Sequence, residues 1–363
     1  MNPAPVAPTG LDPAIFRLFR RAVRLSLARP SRALFFLRTL FRQRKAAALR
    51  RARAKEGLAV PPFLILSVTR ECNLNCRGCY EKALPRPDGA EMDAGLLQRT
   101  LFEAQELGVG MALLAGGEPL MRPGLLDTLS GFPGMVFPLF TNGQLLDDAI
   151  TERLAGLPQV VPVISLEGEA LETDRRRGYG VHKRAIAAVE RLQEAGLFFG
   201  LSLTLTHDNF DAVMEINAVS DWIRKGCGLF FFIEYVPAGE GTEGLALTPS
   251  QRARVLPLTD FFRKELPALF LSFPGDEADF GGCLAAGRGF VHVSADGRVE
   301  PCPFSPYSDS DLKQTSLRAA LGSPFLKTLR ENPSALSEAE GGCALFAKKE
   351  WVETLLKKSV PHH

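Results

Sequence analysis

From residue 63 the chain alternates short apolar runs with amphipathic helical stretches, and no other feature limits its possible folds as strongly. The runs at 63–69, 111–115, 135–140, 160–166, 200–206 and 229–236 are rich in Val, Ile, Leu and Phe. Helical patterns fill the gaps near 91–108, 123–130, 146–156, 180–195 and 209–225; Ala185, Ala188, Val189 and Leu192 mark the apolar face of one of them. Apolar strands separated by helices form a parallel sheet that the helices cover. Six such units predict an α/β fold, a partial (β/α)6 TIM-like barrel. Periodicity alone does not separate it from a doubly wound sheet.

Both flanks differ from this middle. Residues 1–60 hold 14 Lys or Arg against only Asp12 and Glu56, about +12, whereas the other 303 residues carry 29 bases and 39 acids, about −10. Within that arm, 14–29 and 31–55 read as basic amphipathic helices parted by Pro30, with Ser31 as N-cap of the second. Ile15, Phe16, Phe19 and Val23, then Leu34, Phe35, Leu37, Leu40 and Phe41, form their apolar stripes. After a helix at 248–265 the chain becomes rich in Gly, Pro and Cys. The expected organisation is a helical arm over 1–60, a barrel over 61–265 and a small α+β domain over 266–363.

Composition excludes several classes. With 363 residues, 46% hydrophobic and 23% charged, the chain is neither disordered nor a disulfide-built miniprotein. The acidic body argues against general nucleic-acid binding. Prolines at 3, 5, 8 and 13 interrupt the start, so no secretory signal is read there, and the longest uncharged run, 128–146, is broken by Gly and Pro. Three of seven cysteines lie within eight residues, which fits thiolate ligands in a reducing cytoplasm better than a disulfide framework.

That cluster is Cys72-x3-Cys76-x2-Cys79, followed by Tyr80, on the loop after the first strand. Three thiolates can hold three irons of a [4Fe–4S] cube and leave the fourth iron open to a small chelating molecule. A structural zinc site is the plainer alternative, although zinc sites normally use four ligands and Cys-x2-Cys pairs. Gly116-Gly117-Glu118-Pro119 follows the second strand, where two glycines would let backbone approach a ligand. Ser165 and Glu167 end the fourth strand, and Arg175, Arg176 and Arg177 follow. Each motif alone also fits a turn, a cap or a surface salt bridge.

In this order the motifs resemble the radical SAM superfamily over about residues 63–240. The resemblance implies a [4Fe–4S] cluster on Cys72, Cys76 and Cys79 that reductively cleaves S-adenosylmethionine (SAM) to methionine and a 5′-deoxyadenosyl radical, which takes hydrogen from a substrate. It also implies that Tyr80 lies near the adenine, that Gly116, Gly117 and Glu118 face the methionine amine, and that Ser165, Glu167 and Arg177 make polar contacts to SAM. A low-potential donor, flavodoxin or ferredoxin, would supply the electron.

Cys283, Cys302 and Cys343 are spread over the C-terminal part, with a hairpin expected around Asp296-Gly297. This spacing resembles the SPASM/twitch extension, shorn of its later cysteines, and implies one auxiliary [4Fe–4S] cluster; zinc or plain burial are the alternatives. His292 is the nearest non-cysteine candidate for a fourth ligand. Cys227, flanked by glycines, reads as core.

Glu234 is the single carboxylate in the Phe-rich sixth strand and a catalytic candidate, unless a barrel arginine pairs with it. The arm suits either an anionic lipid surface, bringing an apolar or lipid-linked substrate to the barrel mouth, or docking on the acidic body. A peptide is the other substrate class. The expected location is cytoplasmic, with the inner membrane face as a peripheral site. The rival from another class is a non-catalytic Fe–S or zinc redox sensor or scaffold.

Overall fold

The computed structural model describes residues 10–86, 89–273, 282–332, 335–336 and 343–359. The arm's prolines at 3, 5 and 8 lie outside the described residues. Two helices open the chain, α1 (Leu11–Leu25) and α2 (Pro30–Lys55). Pro30 takes the first position of α2, where its missing N–H costs nothing, so Arg29 and not Ser31 precedes the helix.

The barrel strands are β1 (Phe63–Thr69), β2 (Met111–Gly116), β3 (Phe137–Thr141), β4 (Val160–Leu166), β5 (Gly200–Leu205) and β6 (Leu229–Glu234). Between β1 and β4 run α3 (Tyr80–Ala83), α4 (Ala94–Leu107), α5 (Leu125–Ser130) and α6 (Asp148–Ala155). After β4 come α7 (Ala170–Arg177), α8 (Val181–Glu194), α9 (Phe210–Val213), α10 (Ile216–Arg224) and α11 (Pro249–Glu265). Their limits follow local chemistry. The Asp93 side chain accepts from Leu96 N to cap α4, which left-handed Gly108 ends, and a Thr248–Gln251 capping box opens α11.

Each strand from β1 to β6 pairs in parallel with the next, as a βαβ series requires. The sheet continues beyond residue 265: β7 (Leu269–Phe273) adds to β6, while β8 (Phe290–Val293) lies parallel to β1 and carries antiparallel β9 (Val299–Glu300). The nine-stranded order is β7-β6-β5-β4-β3-β2-β1-β8-β9, an open partial barrel. Short helices α12 (Leu317–Leu321), α13 (Pro324–Arg330), α14 (Ala344–Ala347) and α15 (Lys349–Ser359) complete the C-terminal part. Among the described residues no helix is long and apolar enough to cross a membrane.

The arm docks on the body, at the end where strands begin. Gln43 donates to Gly110 O just before β2 (3.0 Å), and Arg21 donates to Ala268 O just before β7 (3.0 Å). Arg21 also reaches Arg263 O and Leu266 O at the end of α11, Arg50 reaches Gly108 O after α4, and Arg32 reaches Gly196 O after α8. Helix C-termini gather unpaired carbonyls and the negative end of the helix dipole, so arginines suit them. The arm's charge is thus met largely by backbone carbonyls and only in part by acidic side chains. Ile15, Phe19, Phe36 and Leu40 bury themselves beneath it, with Phe36 edge-on to Phe198 at 5.0 Å. Of the two expectations for the arm, docking on the body is thus seen, and it lies at the strand starts, away from the strand ends that carry the cysteine loop.

Candidate active site

The loop after β1 is shaped by Glu91. Its Oε1 accepts from Thr69 Oγ1 (3.0 Å) and Arg70 N (2.7 Å), and Glu71 N donates to Thr69 Oγ1 (3.1 Å). Residues 70–79, with Cys72, Cys76 and Cys79, therefore turn over the strand ends. The end of β2 closes on this loop: Gly117 N donates to Thr69 O (2.8 Å) and Glu118 N to Glu71 O (2.7 Å). A Cβ on Gly116 would strike Thr69 O, and one on Gly117 would strike Glu71 O. These glycines thus serve a backbone-to-backbone approach, and both also line the cavity where the ligand contact is expected of them. Gly78, at φ +67°, packs directly under the Tyr235 hydroxyl.

Glu118 is buried and holds three donors, Thr141 Oγ1 (2.7 Å), Asn142 N (2.8 Å) and Leu120 N (3.1 Å). Burial raises its pKa and those bonds oppose the rise. Three of its four acceptor positions are occupied, so one remains for a ligand. Asn142 Nδ2 in turn donates to Asn73 Oδ1 in the cysteine loop (2.7 Å).

Ser165 on β4 stands opposite Ser202 on β5. Glu167, just beyond β4, is 1% exposed and receives Arg176 and Arg177 on one oxygen, with Arg177 Nε at 2.8 Å; its Oε2 is buried without a hydrogen-bond partner. The sequence singled out Arg177 from three arginines, and Arg176 is the one it missed. Arg176 bonds Glu167, lies over the Tyr235 ring at 5.6 Å and approaches Thr204 Oγ1 at 3.4 Å, whereas Arg175 points outward to Asp208. Burial raises the Cys76 pKa, while Arg177 and Arg176 pull it back. The Tyr235 hydroxyl, in a side chain 3% exposed, is a second buried polar group without a hydrogen-bond partner.

Glu234 has the arginine that sequence reasoning left unnamed: Arg252, from α11. Burial raises the carboxyl's pKa and Arg252 opposes it. Tyr80 packs its ring 5.0 Å from Phe304, two residues beyond Cys302, and so stands between the two cysteine groups.

Cys283, Cys302 and Cys343 come together despite 60 positions of separation. Cys302 and Cys343 are within hydrogen-bonding reach, and that contact together with burial pushes the Cys302 thiol up. No two described cysteines form a disulfide. Cys227 lies apart in the core, its thiol pushed up to about 12 by burial. His292 is removed as a ligand candidate. It is fully buried, and both ring nitrogens are engaged, Nε2 with Ser67 Oγ (2.8 Å) and Nδ1 with Glu300 Oε2 (2.7 Å).

That histidine belongs to a brace between the cysteine groups. Arg86, seven residues past Cys79, donates through Nη1 to both Glu300 oxygens (2.8 and 2.6 Å) and through Nη2 to Pro303 O (2.9 Å), while Glu81 lies 3.6 Å from its Nε. Glu300 and Pro303 flank Cys302.

A single cavity of about 320 Å³ runs between both groups and is lined by all six cysteines. Its walls are mainly apolar, with Phe140, Phe231, Phe273, Phe290 and Phe304 among them; Ser165, Ser202, Thr204 and Glu234 add polar points. Among the described residues no three His, Cys, Asp or Glu side chains converge on a single metal ion. A cube does not require that, since each thiolate binds its own iron. The donor set fits such a cube: three thiols per group at the cavity wall, with the unpartnered Tyr235 hydroxyl on a residue of the same lining and Glu167 held behind it by Arg176 and Arg177, which also line the space.

Comparisons with known proteins agree. Residues 66–217 match the Radical SAM superfamily. The chain is 27% identical over 288 residues to the AdoMet-dependent heme synthase of Methanosarcina barkeri, covering 71% of this chain and 81% of that protein. It is 28% identical over 323 residues to the mycofactocin maturase MftC of Mycobacterium ulcerans, covering 80% and 82%. Streptococcus suis SuiB bound to its precursor peptide SuiA shares the fold, with a TM-score of 0.63 at 20% identity over 85% of this chain and 74% of that one. Residues 66–217 are therefore a radical SAM domain, of a family of enzymes that work with a [4Fe–4S] cluster and SAM, and the fold as a whole is shared with SuiB.

Proposed function

We propose that the enzyme abstracts hydrogen from an apolar group of its substrate, held in the apolar cavity between the two cysteine groups. The continuity of that cavity carries the reading. Cys72, Cys76 and Cys79 hold the catalytic cluster. When bound, that cluster and SAM supply a 5′-deoxyadenosyl radical as the hydrogen-abstracting agent. Gly116, Gly117 and Glu118 bind the methionine end of SAM, while Glu167, oriented by Arg176 and Arg177, and Ser165 offer it polar contacts. Cys283, Cys302 and Cys343 hold the auxiliary cluster. The Phe walls exclude water and hold the apolar group. Glu234 can take or hold a proton there only with Arg252 attached, which favours a substrate-orienting role.

Relatives named for heme synthesis and for mycofactocin maturation both suit an apolar ring or side chain in this space. A lipid-linked substrate loses its support, since the arm lies at the opposite barrel end. A reductant is required, and we assign a flavodoxin or ferredoxin of the cytoplasm to this role. Anaerobic reconstitution with dithionite and SAM tests the reading. Formation of 5′-deoxyadenosine that Cys76→Ala abolishes and Cys302→Ala preserves supports it; an iron-loaded protein that forms none under any low-potential reductant supports the sensor class.

A further inference from the structure

Docking of the arm splits its apolar stripe in two. Ile15, Phe19, Phe36 and Leu40 face the barrel, while Leu27, Leu34, Leu37 and Phe41 stay outside, 68%, 45%, 41% and 59% exposed. Leu34, Leu37 and Phe41 follow one another at helical spacing on the outer side of α2. Cations flank this ridge: Arg38, Arg44 and Lys45 are exposed, and the Arg44 guanidinium lies 5.8 Å from the Phe41 ring centre. Arg20 and Arg24 are exposed on neighbouring α1. No acidic residue occurs between Asp12 and Glu56. The arm's ion pairs among the described residues join Arg50 and Arg51 to Asp12, and Arg53 to Glu56, which Arg318 also reaches.

We infer that this ridge rests on an anionic lipid bilayer. An apolar ridge bordered by arginines is matched at once by an acyl boundary and its phosphates. A second copy of the arm would oppose cations with cations, and an acidic protein would leave the leucines unmatched. Because the arm covers the strand starts, the cysteine loops at the strand ends face away from the lipid. The membrane holds the enzyme in place and its cavity opens toward the aqueous side.

The test uses the full-length, anaerobically reconstituted protein in co-sedimentation with vesicles of phosphatidylcholine alone or with one quarter phosphatidylglycerol. Two double variants probe the ridge and its rim, Leu37→Glu with Phe41→Glu and Arg38→Glu with Arg44→Glu. All four positions are exposed, and unchanged thermal melting confirms that the variants fold. We expect binding to the anionic vesicles to fall roughly tenfold or more in each variant and in 0.5 M salt, with 5′-deoxyadenosine formation unchanged. Equal pelleting of wild type and both variants overturns the inference. So does a dimer in light scattering that the Phe41 substitution dissolves, since the ridge is then a self-interface. Neither outcome touches the radical SAM reading, which the deoxyadenosine assay decides separately.

Discussion

Replacing Arg86 by Met removes the cation that ties the two cysteine groups together. Its side chain is only 6% exposed, and it faces Glu300 and Glu81, themselves 1% and 4% exposed. Two hydrogen bonds to Glu300 and one to Pro303 O disappear, and two carboxyl groups are left in the interior without their arginine. Breaking a buried ion pair from one side costs about 3–5 kcal/mol. That is a large share of the roughly 5–15 kcal/mol by which domains are stable. Part of the loss is relieved by protonation of Glu81, whose pKa burial already raises and Arg86 holds back. Arg86→Lys keeps the charge but not the two-pronged fork, and should lose about 1–2 kcal/mol. Urea unfolding under anaerobic conditions, followed by far-ultraviolet circular dichroism, measures both. The methionine variant should also retain less auxiliary-cluster iron, because Pro303 loses the bond that anchors the Cys302 turn. A variant within about 0.5 kcal/mol of wild type with full iron content refutes the brace; that is the scatter of ordinary surface substitutions.

Other consequences are checked more simply. Gly78→Ala forces a side chain into a left-handed position, about 1–2 kcal/mol, and into the Tyr235 hydroxyl, so its melting temperature should fall and Tyr235→Phe should restore part of the loss. Arg176→Ala should weaken SAM binding in equilibrium dialysis by about tenfold to a hundredfold, through one charge-assisted hydrogen bond, while outward Arg175→Ala leaves it unchanged. Glu234 has a folded-state pKa above its ordinary value, so the folded protein binds the extra proton. Stability from this group is present at low pH and lost as pH rises from about 4.5 through the raised value. The difference in unfolding free energy between wild type and Glu234→Gln should therefore shrink or reverse with rising pH over that window.

What the sequence could show depended on the range of each interaction. Buried parallel strands announce themselves as unbroken apolar runs, and β1 and β4 lie where those runs lie. Cysteine spacing and strand-end position pointed to Cys72, Cys76, Cys79, Glu118 and Ser165, which line one cavity, while Glu167 stands behind it on Arg176 and Arg177. Contacts made across the fold left no such trace. Arg86 and Glu300 stand 214 positions apart, and nothing local marks them as partners. Which of three consecutive arginines turns inward depends on the phase of α7, a helix the periodicity did not reveal. On its inward side the arm's partners are backbone carbonyls at helix ends, which have no residue signature, so for docking on the body the sequence offered only acidic side chains. The glycines after β2 were visible as a need for space, but not as space for Thr69 and Glu71.

The central claim is a cube with one iron left open by Cys72, Cys76 and Cys79, within reach of SAM. Mössbauer spectroscopy of protein reconstituted anaerobically with ⁵⁷Fe, with and without SAM, tests it most directly. The account predicts two cubane signals in the wild type, one lost on replacing these three cysteines by alanine, and a single iron site of that cube altered by SAM. Zinc in the loop, or a cube whose irons are all indifferent to SAM, contradicts it.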